Sequence, residues 1–143
     1  MALGMTMNEL GLEILLDHYK DPRNFGHLED PDAVHEEGNP SCGDQIRMEL
    51  KLKDDRVEDV RFSGKGCAIS QAAASMLTEE IKGKPLSEIR KMGKREMLDL
   101  LGVEVNPMRL KCALLALKVV KGALFDEHEW PNGDGDDEDA FGF

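Results

Sequence analysis

The sequence predicts an α+β domain in which a small antiparallel sheet of about three strands is covered by helices and closed by a long C-terminal helix. Three observations predict it. Residues 46–63 alternate apolar and charged side chains about Asp54-Asp55, which is the pattern of a half-buried hairpin. After residue 68 the apolar period changes to that of a helix. Residues 108–120 are apolar around most of a helical circumference, which suits a central helix better than a superficial one.

Taken in order, Asn8 is a candidate N-cap, and Leu10, Ile14, Leu15 and His18 fall on one helical stripe. His18 there reads as a packed or boundary histidine rather than a ligand. Asp21-Pro22 should stop this helix, with Tyr19 and Phe25 packing about the stop. Residues 22–44 are rich in Pro, Gly, Asn and acid, and read as loop with a short strand near Val34. In the hairpin, Ile46, Met48, Leu50 and Leu52 face inward, then Val60 and Phe62. The intervening charges, Glu49 among them, read as a solvated face.

Ile69, Ala72, Ala73, Met76, Leu77 and Ile81 define the next helix, which Gly83 and Pro85 end. Two short helices follow at about 87–92 and 94–101, closed by Gly102. Asn106-Pro107 opens the last helix, with Asn106 as cap and Pro107 in the first turn.

The net charge of −11 is concentrated at the C-terminus. Residues 126–143 carry −8 and no Lys or Arg, so residues 1–125 carry only −3. The expected organisation is therefore a folded domain over 1–125 and an acidic tail over 126–143 that cannot bury enough apolar surface to fold alone. The tail's Asp and Gly residues lack the spacing of a calcium loop. No basic surplus favours nucleic acid. No apolar run is long enough to span a membrane, and no export signal opens the sequence. Free thiols then suit a reducing cytoplasm.

Three cysteines far apart in sequence do not form a two-disulfide framework. A lone cysteine is ordinarily packing, and Cys112, on the central helix, would be read that way by itself. The surroundings of the other two argue otherwise. Cys42 lies in Gly38-Asn39-Pro40-Ser41-Cys42-Gly43-Asp44, a turn-forming stretch, and Cys67 follows Gly64-Lys65-Gly66 at a helix N-terminus, where an anionic sulfur is favoured. Cys42, Asp44, Cys67 and Cys112 together make a four-ligand set of three soft sulfurs and one hard oxygen, suited to zinc or an iron–sulfur unit. Asp44 could instead serve only its own turn.

Asp17-His18-Tyr19-Lys20-Asp21-Pro22-Arg23-Asn24, the Cys42 stretch, Gly64-Lys65-Gly66-Cys67-Ala68-Ile69-Ser70 and Lys111-Cys112-Ala113 together resemble the U-type iron–sulfur cluster assembly proteins: IscU, SufU and the N-terminal domain of NifU. The resemblance runs from about Leu10 to Leu124. It implies the α+β fold and a scaffold rather than an enzyme. Sulfur would come as persulfide from a cysteine desulfurase of the SufS or IscS type. A transient [2Fe–2S] cluster would form on Cys42, Cys67 and Cys112 with Asp44 as fourth ligand, then pass to apo iron–sulfur acceptor proteins. Lys111 before the third cysteine is the SufU-type residue, whereas the 45-residue separation of Cys67 from Cys112 looks like IscU. Val105-Asn106-Pro107-Met108-Arg109 replaces the chaperone-recognition segment of IscU.

The SufU likeness implies an alternative, a zinc-dependent sulfurtransferase. Cys42 is then the candidate sulfur acceptor, Cys112 the alternative acceptor and Lys111 a supporting cation. A third reading is a structural zinc-binding interaction domain. A weak homo-oligomer is left open.

Overall fold

The computed structural model describes residues 7–39 and 43–126, without the side chains of Met7 and Asn8. Helix α1 (Met7–Lys20) precedes strands β1 (Ala33–Asn39), β2 (Asp44–Lys53) and β3 (Arg56–Lys65). Helices α2 (Ala68–Ile81), α3 (Leu86–Lys91) and α4 (Lys94–Leu101) follow. A 3₁₀ turn at Pro107–Arg109 then leads into α5 (Leu110–Phe125). The strands form one antiparallel sheet in the order β1-β2-β3. This is the α+β arrangement expected. β1 is longer than the short strand the sequence suggests near Val34. Among the described residues no helix is long and apolar enough to cross a membrane.

The hairpin turns at Asp54 and Asp55, whose φ values of 55° and 61° are those of a two-residue turn matched to strand twist. Ile46, Met48, Leu50, Val60 and Phe62 are fully buried on the inner face, against α2 and α5. α5 is central: Leu110, every residue from Cys112 to Val120, and Gly122 are buried. Asn106 caps the turn before it, its Oδ1 accepting the Arg109 N–H at 3.2 Å.

α1 departs from the stripe read from its apolar residues. It already includes Asn8, so that residue is not its cap. Its buried face is Gly11, Leu15 and His18, while Leu10 and Ile14 are 43% and 45% exposed. Contact at Gly11 explains the rotation. A Cβ there would lie 2.0 Å from the Gly102 carbonyl oxygen, so the helix rolls its glycine onto the loop after α4. Tyr19 is exposed, and Phe25 packs edge-on against Phe62 with ring centroids 5.2 Å apart. His18 is a packed histidine, with Nδ1 2.7 Å from Ser75 Oγ. Burial, then the nearby Arg23 guanidinium, push its imidazole below its ordinary range.

Glu49 is not solvated as its place in the alternation suggests. The loop at His27-Leu28 folds over the outer face of β2 and leaves its side chain 4% exposed. Burial alone would raise its carboxyl. Hydrogen bonds from His27 Nδ1 (2.7 Å), the Leu28 N–H (2.9 Å) and Arg47 Nε (2.9 Å) overcome this and hold it down at about 2. A carboxyl depressed by folding contributes stability above its ordinary pKa of 4.5, and that contribution is lost as pH falls toward 2. Screening around the largely exposed His27 leaves about 2 kcal/mol of it. Glu49→Gln should lower stability by about that amount at pH 7 and flatten the decline between pH 4.5 and 2. Urea unfolding across this pH range checks it, and parallel pH curves for parent and variant would refute it.

Candidate metal centre

Three chain elements deliver the candidate ligands to one end of the sheet. Asp44 opens β2, Cys67 is the N-cap of α2, and Cys112 lies in the first turn of α5. Asp44 pairs with Asn39 across the β1–β2 ladder, and the Gly43 N–H donates to the Asn39 carbonyl at 2.9 Å. These contacts bound the segment 40–42. Cys42 itself, like the tail residues 127–143, lies outside the described residues.

The Sγ atoms of Cys67 and Cys112 and a carboxylate oxygen of Asp44 all lie within 4.8 Å of one another. Asp44 is 2% exposed and Cys112 fully buried, while Cys67 is half-buried and opens the site to solvent. The two Asp44 oxygens do different work. Oδ1 accepts the Cys67 N–H at 2.8 Å, and Oδ2 lies 3.9 Å from Cys67 Sγ. One oxygen therefore ties β2 to the start of α2, leaving the other to face the thiols.

Gly66 makes this possible. Its φ is +147°, and a Cβ there would lie 2.2 Å from Asp44 Oδ1 and 2.8 Å from Ser70 Oγ. Ser70 is fully buried and donates from Oγ to the Cys67 carbonyl at 3.1 Å, fixing the first turn of α2. Sequence reasoning chose Cys67 and Asp44 but missed Gly66 and Ser70 as their supports. The signal that could have found them was their place in the Gly64-to-Ser70 stretch around the cysteine. Lys111 is half-buried beside Cys112.

The donor set suits a thiophilic metal. Bond lengths of about 2.3 Å to sulfur and 2.0–2.2 Å to oxygen place neighbouring donors of a tetrahedral ion about 3.5–3.8 Å apart. The 3.9 Å sulfur–oxygen spacing is close to this. Cys42, the candidate fourth donor of the sequence reading, is two residues from Asp44 in sequence.

Comparison with known proteins places the chain. The model of the NifU-like N terminal domain family matches residues 12–130. The chain belongs to this family. It is 39% identical over 144 residues to the zinc-dependent sulfurtransferase SufU of Bacillus subtilis (strain 168), an alignment covering 89% of this chain and 97% of SufU. It is 34% identical over 118 residues to the iron–sulfur cluster assembly scaffold protein IscU of Escherichia coli (strain K12), covering 80% of this chain and 91% of IscU. Among solved structures, a candidate scaffold protein for the SUF system from Fervidobacterium islandicum AW-1 superposes with a TM-score of 0.69 at 34% identity, covering 78% and 94% of the two chains. The N-terminal NifU-like protein of Brucella abortus, 23% identical with a TM-score of 0.68, shares the fold.

Proposed function

We propose that this NifU-like domain is an iron–sulfur cluster assembly scaffold. It receives persulfide sulfur from a cysteine desulfurase, which an external thiol or electron-transfer reductant brings to sulfide with two electrons per sulfur. It holds a nascent [2Fe–2S] cluster as cargo on Cys42, Cys67, Cys112 and Asp44, and passes it to apo-proteins. The observation that carries this reading is the convergence of Asp44, Cys67 and Cys112 within 4.8 Å, with Cys42 two residues before Asp44 in the sequence. Thiolates are the natural ligands of iron–sulfur units. The single hard oxygen is the weak member of the set and the natural point of departure for the cargo.

A second reading is favoured by the compactness of the donors, which one tetrahedral ion could span, and by Lys111. Beside thiolates and a carboxylate, a lysine offsets negative charge without adding a ligand. In this reading the chain is a zinc-dependent sulfurtransferase. Zinc, when bound, keeps the cysteines deprotonated at neutral pH. Docking to the desulfurase frees Cys42, whose thiolate attacks the outer persulfide sulfur. A new S–S bond forms on Cys42, and the desulfurase cysteine leaves as its thiolate.

One experiment separates the two. The protein is purified without oxygen, and its metal and acid-labile sulfide are measured before and after incubation with iron, cysteine, a desulfurase and a thiol reductant. Charge-transfer bands with labile sulfide support the scaffold. Retained zinc, strong desulfurase activation and no cluster support the relay. Neither sulfide acquisition nor activation would leave a structural zinc domain.

Asp44→Ala should still load metal or cluster but transfer it more slowly, by about ten-fold, since its oxygen is the exchangeable donor. Transfer to apo-ferredoxin, followed by visible circular dichroism, measures this. Parental rates of both loading and transfer would reduce Asp44 to its bond with the Cys67 N–H.

A further inference from the structure

Outside the metal centre, Lys118 of α5 forms an ionic cluster with Glu37 and His35 of β1. Lys118 Nζ donates to Glu37 Oε1, and His35 Nε2 lies 2.7 Å from Glu37 Oε2. Lys118 is only 7% exposed, although its helix is otherwise almost wholly apolar where it is buried. Burying an ammonium is costly unless its partner is in place, so one alignment of β1 on α5 is strongly preferred over its neighbours.

A second contact repeats that alignment. The His35 ring lies over Gly122, where a Cβ would come 2.6 Å from ring carbon Cδ2. Two strand residues advance about 6.7 Å and four helical residues about 6.0 Å. The pairs 35/122 and 37/118 are therefore successive rungs of an antiparallel ladder between strand and helix. The next strand step reaches Asn39, which pairs with Asp44. The next helix step reaches the turn that carries Lys111 and Cys112.

We propose that the Lys118–Glu37 pair is a positioning element of the metal centre. It sets the register of β1 on α5 and so fixes Asp44, through its Asn39 partner, relative to Cys112. Apolar contacts alone would tolerate sliding along a helix this uniformly hydrophobic. A buried polar pair does not, and setting register is the best-attested use of such pairs. Lys118 and Glu37 are positioning residues only, and this assignment rests on the four-ligand site proposed above.

The test uses the full chain with zinc and cobalt(II) as probes. Glu37→Gln and Lys118→Met should each lower zinc affinity by about ten-fold or more in chelator competition, as removal of a supporting partner typically does. Each should also shift the cobalt d–d bands, and Lys118→Arg should restore most of both. Gly122→Ala changes no charge but presses on His35, and should lower affinity in the same direction. Glu49→Gln, on the opposite face of β2, is the control for simple destabilisation and should lower the melting temperature without changing either metal signal. Parental zinc affinity and cobalt spectra in Glu37→Gln and Lys118→Met would overturn the proposal. If either variant fails to fold, parental affinity in Gly122→Ala would overturn it. A parent that holds neither metal through Cys67 and Cys112 would instead refute the metal centre itself.

Discussion

Gly66→Ala should empty the metal centre and destabilise the domain. The added Cβ must occupy a point 2.2 Å from Asp44 Oδ1 and 2.9 Å from Asp44 Cα. The carboxylate can retreat, but the strand backbone behind it cannot. The φ of +147° adds strain of about 1–3 kcal/mol for any residue with a side chain. Losing the Asp44–Cys67 hydrogen bond adds about 1.5–3 kcal/mol, because its acceptor is charged. A total near 4 kcal/mol should lower the melting temperature by about 10 °C or more in a domain of this size. Zinc affinity should fall by more than about a hundred-fold, since both Asp44 and Cys67 are displaced. Chelator competition and thermal unfolding by circular dichroism measure the two effects. An alanine variant with parental zinc affinity would show that neither residue needs this turn.

Serine at Cys67 or Cys112 should also strip the site, but the two variants should differ without metal. Removing a ligand costs more than removing its support, so each should lower affinity by at least about a hundred-fold. Cys112 is fully buried at the start of α5, so its serine hydroxyl must be desolvated, at about 1–3 kcal/mol. Cys67 is half-buried at a helix cap, a position serine accepts readily. The apo-protein should therefore be destabilised by Cys112→Ser and hardly altered by Cys67→Ser. Tight stoichiometric metal in both variants would dissolve the shared site.

The parts of the fold legible in the sequence are those with local causes. The hairpin could be read because apolar residues alternate on both sides of Asp54-Asp55, and the caps Asn106 and Gly102 act within a few residues of themselves. β1 was obscured because His35, Glu36, Glu37 and Gly38 look like loop, and the lysine that buries Glu37 is 81 residues away. Glu49 was misjudged for the same reason, since the cover over it comes from His27 and Leu28 on another element. In the site, cysteine is rare enough to be conspicuous, and Asp44 is conspicuous by its nearness to Cys42. Gly66 and Ser70 act through the shape of a turn, and that shape is visible only in three dimensions.

The reach of the Lys118–Glu37 contact has a consequence for the order of synthesis. Asp44 and Cys67 are 23 residues apart and are brought together by a hairpin and the helix that follows it. α5 closes on β1 across a far longer loop, a contact of high sequence separation that forms slowly and only once the chain beyond Cys112 is available. A polypeptide still emerging from the ribosome has exposed two thiols and a carboxylate while the third thiol is not yet made. In the proposed four-ligand site the complete coordination sphere would thus be withheld until the core helix is in place, and a full-strength hold on metal would arise together with the finished fold.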